Sequence, residues 1–224
     1  MNNQTNENNV FAVANYKDTV FRMLFADKKE LLQLYNGMNG TFYTNPEALQ
    51  ITTLDSAVFM AMKNDVSFVL DMHLSLYEQQ ASINPNMPLR DLFYVSKVYE
   101  GMIVQKDLYA QKSIKLPAPA FVTFYNGSDP QPEKREYFLS DSYETKTEKP
   151  NLELKVVQLN INPGYNEWLK EKCPTLCQYM QYVDCVRRYA RDLSLQTAVE
   201  CAVNECIAKG ILTDFLLHEK AMSD

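Results

Sequence analysis

The sequence predicts an α/β protein with a helical start, a strand-rich middle and a helical tail. Three observations carry that class. Apolar residues recur at helical spacing early and late in the chain, two short runs alternate apolar with polar residues around Asp71-Met72, and the continuous apolar run from Ala120 to Tyr125 reads as a strand buried on both faces.

Taken in order, Tyr16, Val20, Phe21, Leu24, Phe25, Leu31, Leu32 and Tyr35 predict one helix over Asn15 to Asn36. Asn15 caps it, Asp18 follows three residues on, and Gly37 stops it. Thr41 to Glu47 carries the turn dipeptide Asn45-Pro46, and Leu49 to Met62 reads as extended. Asp65 to Leu70 and His73 to Gln80 then form an antiparallel hairpin. The turn Asn84-Pro85-Asn86-Met87-Pro88 starts a helix whose predicted inner face is Leu89, Leu92, Phe93, Ser96, Tyr99 and Ile103, with Arg90, Tyr94 and Lys97 on the opposite stripe.

Asn126-Gly127 ends the buried strand. Gln131 to Tyr143 reads as a surface strand, Leu152 to Ile161 as a further alternating strand, and Pro163-Gly164 closes the sheet region. Beyond Asn166 the pattern predicts one long helix through Tyr189 and a second over Leu195 to His218, broken near Gly210. The expected organisation is a disordered tail over residues 1–12, a core domain over 13–165, and a helical region over 166–224 packed on that core.

With 46% hydrophobic and 22% charged residues, the composition is that of an ordinary globular protein. The polar start, Met1 to Asn9, lacks the basic region of a secretory signal, and no apolar run approaches the roughly 20 residues needed to span a bilayer, so a cytoplasmic protein without a membrane span is expected. The 5 cysteines are odd in number and include no Cys-x-x-Cys pair, and of the 2 histidines His73 lies far from them and His218 near the terminus, which predicts reduced core thiols rather than zinc. A net charge of −6 counts against a protein that coats nucleic acid nonspecifically, because lysine and arginine supply most of that affinity. A carboxylate-lined metal site with a local basic stripe is compatible with it.

If Asp71-Met72 is a two-residue hairpin loop, Asp65 stands directly opposite Glu78, and alternation puts Gln80 on the face of Glu78. Two carboxylates about 4.5–5.5 Å apart at Cβ repel each other unless a cation lies between them, and a hard cation such as magnesium takes oxygen ligands. The enzyme reading therefore requires both carboxylates on one face with no arginine or lysine filling the gap. Asp18 has two readings, a helix-start acid that favours exposed N–H groups and a further metal ligand. The basic cluster Arg187, Arg188 and Arg191 reads as cations near a helix C-terminus, and Trp168 with the tyrosines of the tail as core or interface.

The stretches Tyr16-Lys17-Asp18-Thr19-Val20-Phe21-Arg22-Met23-Leu24-Phe25, Asn64-Asp65-Val66-Ser67-Phe68, Glu78-Gln79-Gln80 and Asn84 to Arg90 together resemble the Rpn-type PD-(D/E)XK nuclease family, whose members are described as transposases. Leu116 to Gly127, Leu159 to Asn166 and Tyr179 to Val183 extend the resemblance over nearly the whole chain after the N-terminal tail. It implies a restriction-endonuclease-like core, a mixed central sheet flanked by helices with a C-terminal helical extension, that cuts DNA phosphodiesters with Mg2+ or Mn2+. By position, Asp65 matches the motif aspartate, Glu78 the motif glutamate and Gln80 the place of the final lysine, giving Asp65, Glu78 and Gln80 as catalytic residues. Asp65, Glu78 and Asp18 are then the candidate metal ligands, and Arg90, Tyr94 and Lys97 the candidate contacts to double-stranded DNA. A second copy of the chain is a candidate partner. Relatives carry His between Glu and Gln, followed by Ser-Thr, where this chain has Gln79, Ala81 and Ser82, and that departure supports the alternative of a catalytically silent binding or assembly module.

Overall fold

The computed structural model describes residues 16–53 and 65–223, which form two compact units. One is Asn45–Ile161; the other combines Met1–Thr44 with Asn162–Asp224. The tail over residues 1–12 and most of the extended stretch Leu49 to Met62 lie outside the described residues.

The predicted N-terminal helix is two helices, α1 (Tyr16–Ala26) and α2 (Lys28–Asn39). Asp27 leaves helical geometry at φ −70, ψ 121, and its carboxylate accepts the Lys29 and Glu30 N–H groups, so a capping residue breaks a pattern whose apolar phase runs on undisturbed. Gly37 does not stop α2. It is buried inside the helix, where a Cβ would come within 3.3 Å of the Lys172 Cβ; Gly40, at φ 64, is the left-handed cap.

The second unit begins with a 3-10 turn at Pro46–Ala48, capped by Asn45, and continues as β1 (Gln50–Ile51), β2 (Val66–Leu70) and β3 (His73–Gln80). Helix α3 (Met87–Met102) follows, then β4 (Ala118–Tyr125), β5 (Lys134–Phe138) and β6 (Lys155–Asn160). The strands make one mixed sheet in the order β1-β2-β3-β4-β6-β5. β3, β4 and β6 are mutually parallel, and β1, β2 and β5 pair antiparallel to their neighbours. This is an α/β fold with a mixed sheet and helices.

The hairpin has the predicted register, Val66 opposite Tyr77 and Leu70 opposite His73. Its loop residues Asp71 and Met72 both sit at positive φ, 48 and 59, as a two-residue primed turn requires. β3 then alternates cleanly. Leu74 and Leu76 face α3 in a core with Met87, Tyr94, Val95, Val98, Phe121 and Val156, while Tyr77 stacks edge-on between Phe68 and Phe124 on the other face.

Helix α3 presents a face turned from the predicted one, of which Leu92 and Tyr99 still pack half-buried against the core. Met87, Asp91, Tyr94, Val95 and Val98 are buried, whereas Leu89 and Phe93 are exposed. On that inner face the Tyr94 hydroxyl shares a hydrogen bond with Ser67 of β2 at 3.0 Å.

In the helical unit the predicted long tail helix is α4 (Glu167–Lys172) and α5 (Pro174–Tyr189), because Pro174 cannot supply the N–H that would continue α4 and instead opens α5. α6 (Leu195–Ala208) and α7 (Thr213–Ser223) are divided at Gly210, φ 74, as the sequence predicts. α1 and α2 belong with these helices rather than with the sheet. Phe21 packs on Tyr179 at 5.6 Å, Tyr179 donates to the Lys17 carbonyl, and Thr175 donates to Glu30. Among the described residues no helix is long and apolar enough to cross a membrane.

Candidate functional site

Every residue of the candidate site on the hairpin lies in the sheet unit, toward the carboxyl ends of the parallel strands. The hairpin register, carried one residue past Val66, sets Asp65 opposite Glu78 on the α3 face. The Asp65 carboxylate accepts the Gln79 N–H at 2.6 Å, so it also satisfies a strand-end donor just beyond the assigned ladder.

Glu78 is 6% exposed, and burial of a carboxylate demands charge-assisted partners. One of its oxygens, Oε1, accepts from Gln80 Nε2 and from Arg90 Nη2, each at 2.7 Å. Gln80 thus shares the face of Glu78 as alternation predicts. Arg90, expected to face a DNA backbone, forms an ion pair with Glu78 instead. A guanidinium on one of the two site carboxylates is the arrangement that counts against a cation shared with Asp65.

The other two residues of the expected substrate stripe do not join them. Tyr94 is buried on the inner face of α3, and Lys97 is exposed and paired with Glu100 at 2.8 Å, one turn further along the helix. Helical geometry explains the correction: with Asp91 and Val95 inward, Tyr94 must point inward too. Asp18 lies on α1 in the helical unit, in the first turn, and pairs with Arg22 at 3.8 Å on the same helix. Gln79 points to the opposite face, where its amide donates to the buried Asn126 at 2.8 Å.

Three residues that the sequence reading did not single out complete the site. Parallel pairing aligns Glu78 of β3 with Thr123 of β4, and Thr123 with Gln158 of β6. They form a polar row on the α3 face, all buried. Gln158 is occupied by Tyr137 and Gln131, each at 3.4 Å. Thr123 Oγ1, by contrast, has no hydrogen-bond partner among the described residues, and such a buried hydroxyl costs about 1–3 kcal/mol. Thr123 was legible only as the single polar residue within Phe-Val-Thr-Phe-Tyr.

Asp91 is the third. It is buried beside Glu78, and its carboxyl is raised from 3.8 to about 8, first by desolvation and next by the charge of Glu78, against a lowering by Arg90. Burial and the neighbouring charge of Glu78 therefore disfavour Asp91 as an anion. Among the described residues no cluster of three or more His, Cys, Asp or Glu stands ready as a complete metal-binding group.

The basic cluster on α5 is mostly engaged locally: Arg187 bonds Asp184 and Asn162, and Arg188 bonds Glu205. Trp168 is 41% exposed, with Lys172 over its ring at 5.6 Å. The cysteines are free thiols. Compared as a whole with family models, with curated proteins and with solved structures, the chain matches none of them.

Proposed function

We propose that this protein is a Mg2+-dependent endodeoxyribonuclease of the Rpn-type PD-(D/E)XK kind, hydrolysing phosphodiesters of double-stranded DNA, with Mn2+ able to replace Mg2+. The observation that carries the reading is the hairpin register, which ends with Val66 opposite Tyr77 and, carried one residue on, would set Asp65 opposite Glu78, toward the carboxyl ends of parallel strands, where open α/β sheets place their ligand crevices.

The residues fit a hard cation in kind. Asp65 and Glu78 offer carboxylate oxygens, and the buried hydroxyl of Thr123, next to Glu78 on the β4 side, has no hydrogen-bond partner among the described residues. When bound, the ion would polarise the phosphodiester and lower the pKa of a water. The chain's own residues then have separate tasks. Gln80 donates hydrogen bonds that orient water or a phosphate oxygen, without the charge a lysine would bring. Arg90 neutralises Glu78 while no cation is there; once a cation takes over that neutralisation, its planar guanidinium suits a phosphate.

A second reading, a catalytically silent binding or assembly module on the same fold, is favoured by a specific observation, the Arg90 ion pair on Glu78. The two separate in a plasmid-nicking assay with Mg2+ or Mn2+, comparing wild type with Asp65→Ala and Glu78→Ala. Metal-dependent nicking by wild type alone is expected. Equal background in all three proteins rejects catalysis and leaves the binding module.

A further inference from the structure

We propose that the connection between α3 and β4, residues 103–117, is a docking surface for anionic lipid headgroups, through which the sheet unit rests on a bilayer surface without crossing it. The segment lies at the amino ends of the parallel strands, since β4 starts at Ala118 opposite His73, the first residue of β3. Glu78 and the candidate site are at the other end of the sheet, so this contact and the nuclease reading stand or fall separately.

From Val104 to Ser113 every residue is exposed. Exposed aliphatic residues are normal when scattered singly, but here several fall in one stretch: Val104 and Leu108, each 57% exposed, Tyr109, 90% exposed, and Leu116, 41% exposed. The 3-10 turn Gln105–Tyr109 ends on Leu108 and Tyr109. Met72, also exposed, adjoins the end of the segment from the β2–β3 turn, where its carbonyl accepts the Ala118 N–H at 3.0 Å.

Charge selects the partner. The chain carries −6 overall, yet Lys106, Lys112 and Lys115 are met by a single acid within the segment, Asp107. Lys97, Lys134 and Lys155 of the same unit are each paired with a glutamate, whereas these three lysines have no ion pair among the described residues. Unpaired lysines interleaved with exposed apolar side chains match a layer of phosphates above hydrocarbon. The ammonium groups stay at the phosphates on their flexible stems, Val104, Leu108 and Leu116 enter below them, and tyrosine suits the boundary. Duplex DNA would use the lysines but leave those aliphatic residues in water. A protein partner would need a pocket shaped to a side chain as projecting as Tyr109, whereas a bilayer surface yields to it.

The test is sedimentation of the full chain with vesicles of phosphatidylcholine alone and of phosphatidylcholine with an equal part of phosphatidylglycerol. Wild type should pellet with the anionic vesicles and stay in solution with the neutral ones, and added salt should weaken the binding. Each lysine near such a surface contributes about fivefold in affinity, so Lys106→Gln/Lys112→Gln/Lys115→Gln should bind at least about tenfold more weakly. Leu108→Ser/Tyr109→Ser should weaken binding as well, with every lysine in place. Both variants change exposed side chains only, and melting as wild type is expected of each, so the loss is not one of folding. No pelleting of wild type with the anionic vesicles overturns the proposal. So does binding that Leu108→Ser/Tyr109→Ser leaves intact, which is charge attraction alone. A lysine variant that keeps its vesicle binding but loses affinity for duplex DNA assigns the segment to nucleic acid and overturns it too.

Discussion

At the scale of single residues, Glu78 is held by two donors on one oxygen, and the consequences of removing each neighbour differ. Arg90→Ala leaves a buried carboxylate with the Gln80 amide but without its counter-charge. Breaking a fully buried pair costs about 3–5 kcal/mol; because the Arg90 side chain is 40% exposed, a loss of about 1–3 kcal/mol is expected in urea denaturation, partly restored in Glu78→Gln/Arg90→Ala. An unchanged midpoint for Arg90→Ala would show that the ion pair contributes nothing.

Asp91 yields a pH prediction. Its folded pKa, about 8, exceeds the ordinary 3.8, so between those values the native state retains a proton that the unfolded chain has lost. Stability contributed in this way is complete below the ordinary value and is lost progressively as pH rises through about 8. Asp91→Asn removes this dependence. Wild type should therefore lose stability relative to Asp91→Asn as pH is raised from about 5 to 9, and parallel melting-temperature profiles would contradict the assignment.

At the scale of elements, the hairpin is the best-specified local structure, although neither loop residue is glycine. Met72 adopts φ 59, a left-handed conformation that costs an ordinary side chain about 1–2 kcal/mol. Met72→Gly should raise stability by up to about 1 kcal/mol by equilibrium unfolding, whereas a fall would place the turn elsewhere. Gly127, after β4, is the opposite case: a Cβ there would lie 2.3 Å from the Ala81 carbonyl oxygen and 2.4 Å from the Tyr125 hydroxyl. Gly127→Ala should cost about 1–3 kcal/mol or more.

The hairpin was legible because a two-residue loop and strict alternation leave one register that buries Leu74 and Leu76 together. The inner face of α3 was legible only in part: Leu92 and Tyr99 pack on the core as their spacing predicts, but Asp91 and Tyr94 are buried while Leu89 and Phe93 remain exposed, and apolar periodicity does not select a buried aspartate or a tyrosine bonded to Ser67. The breaks at Asp27 and Cys173 were equally hidden by an apolar phase that continues through them. Their signals were chemical: a capping aspartate three residues before Glu30, and Pro174. In the site, register set the facing of Asp65, Glu78 and Gln80 and the family resemblance gave them their roles, but Thr123 and Gln158 come from other strands and need the sheet order.

At the scale of the whole molecule, the chain is organised differently from the expected core over 13–165 and tail over 166–224. α1 and α2 group with the C-terminal helices, and the sheet unit, Asn45–Ile161, is a continuous segment between them. Contacts such as Tyr16 on Tyr182 at 6.2 Å and Phe21 on Tyr179 at 5.6 Å mean that the two ends of the chain build one helical core. Removal of residues 1–44 should therefore expose α5 and make Pro174–Tyr189 susceptible to limited proteolysis; protection equal to that of the full chain would show that the C-terminal helices stand without the N-terminal pair.

The most direct test of the central claim, that Asp65 and Glu78 share one divalent ion, is a crystal soaked with Mn2+ and measured for anomalous scattering. The account predicts a peak within coordination distance of both carboxylates, with Arg90 withdrawn from Glu78 Oε1. No peak between them, with the Arg90 ion pair intact at saturating Mn2+, would contradict it.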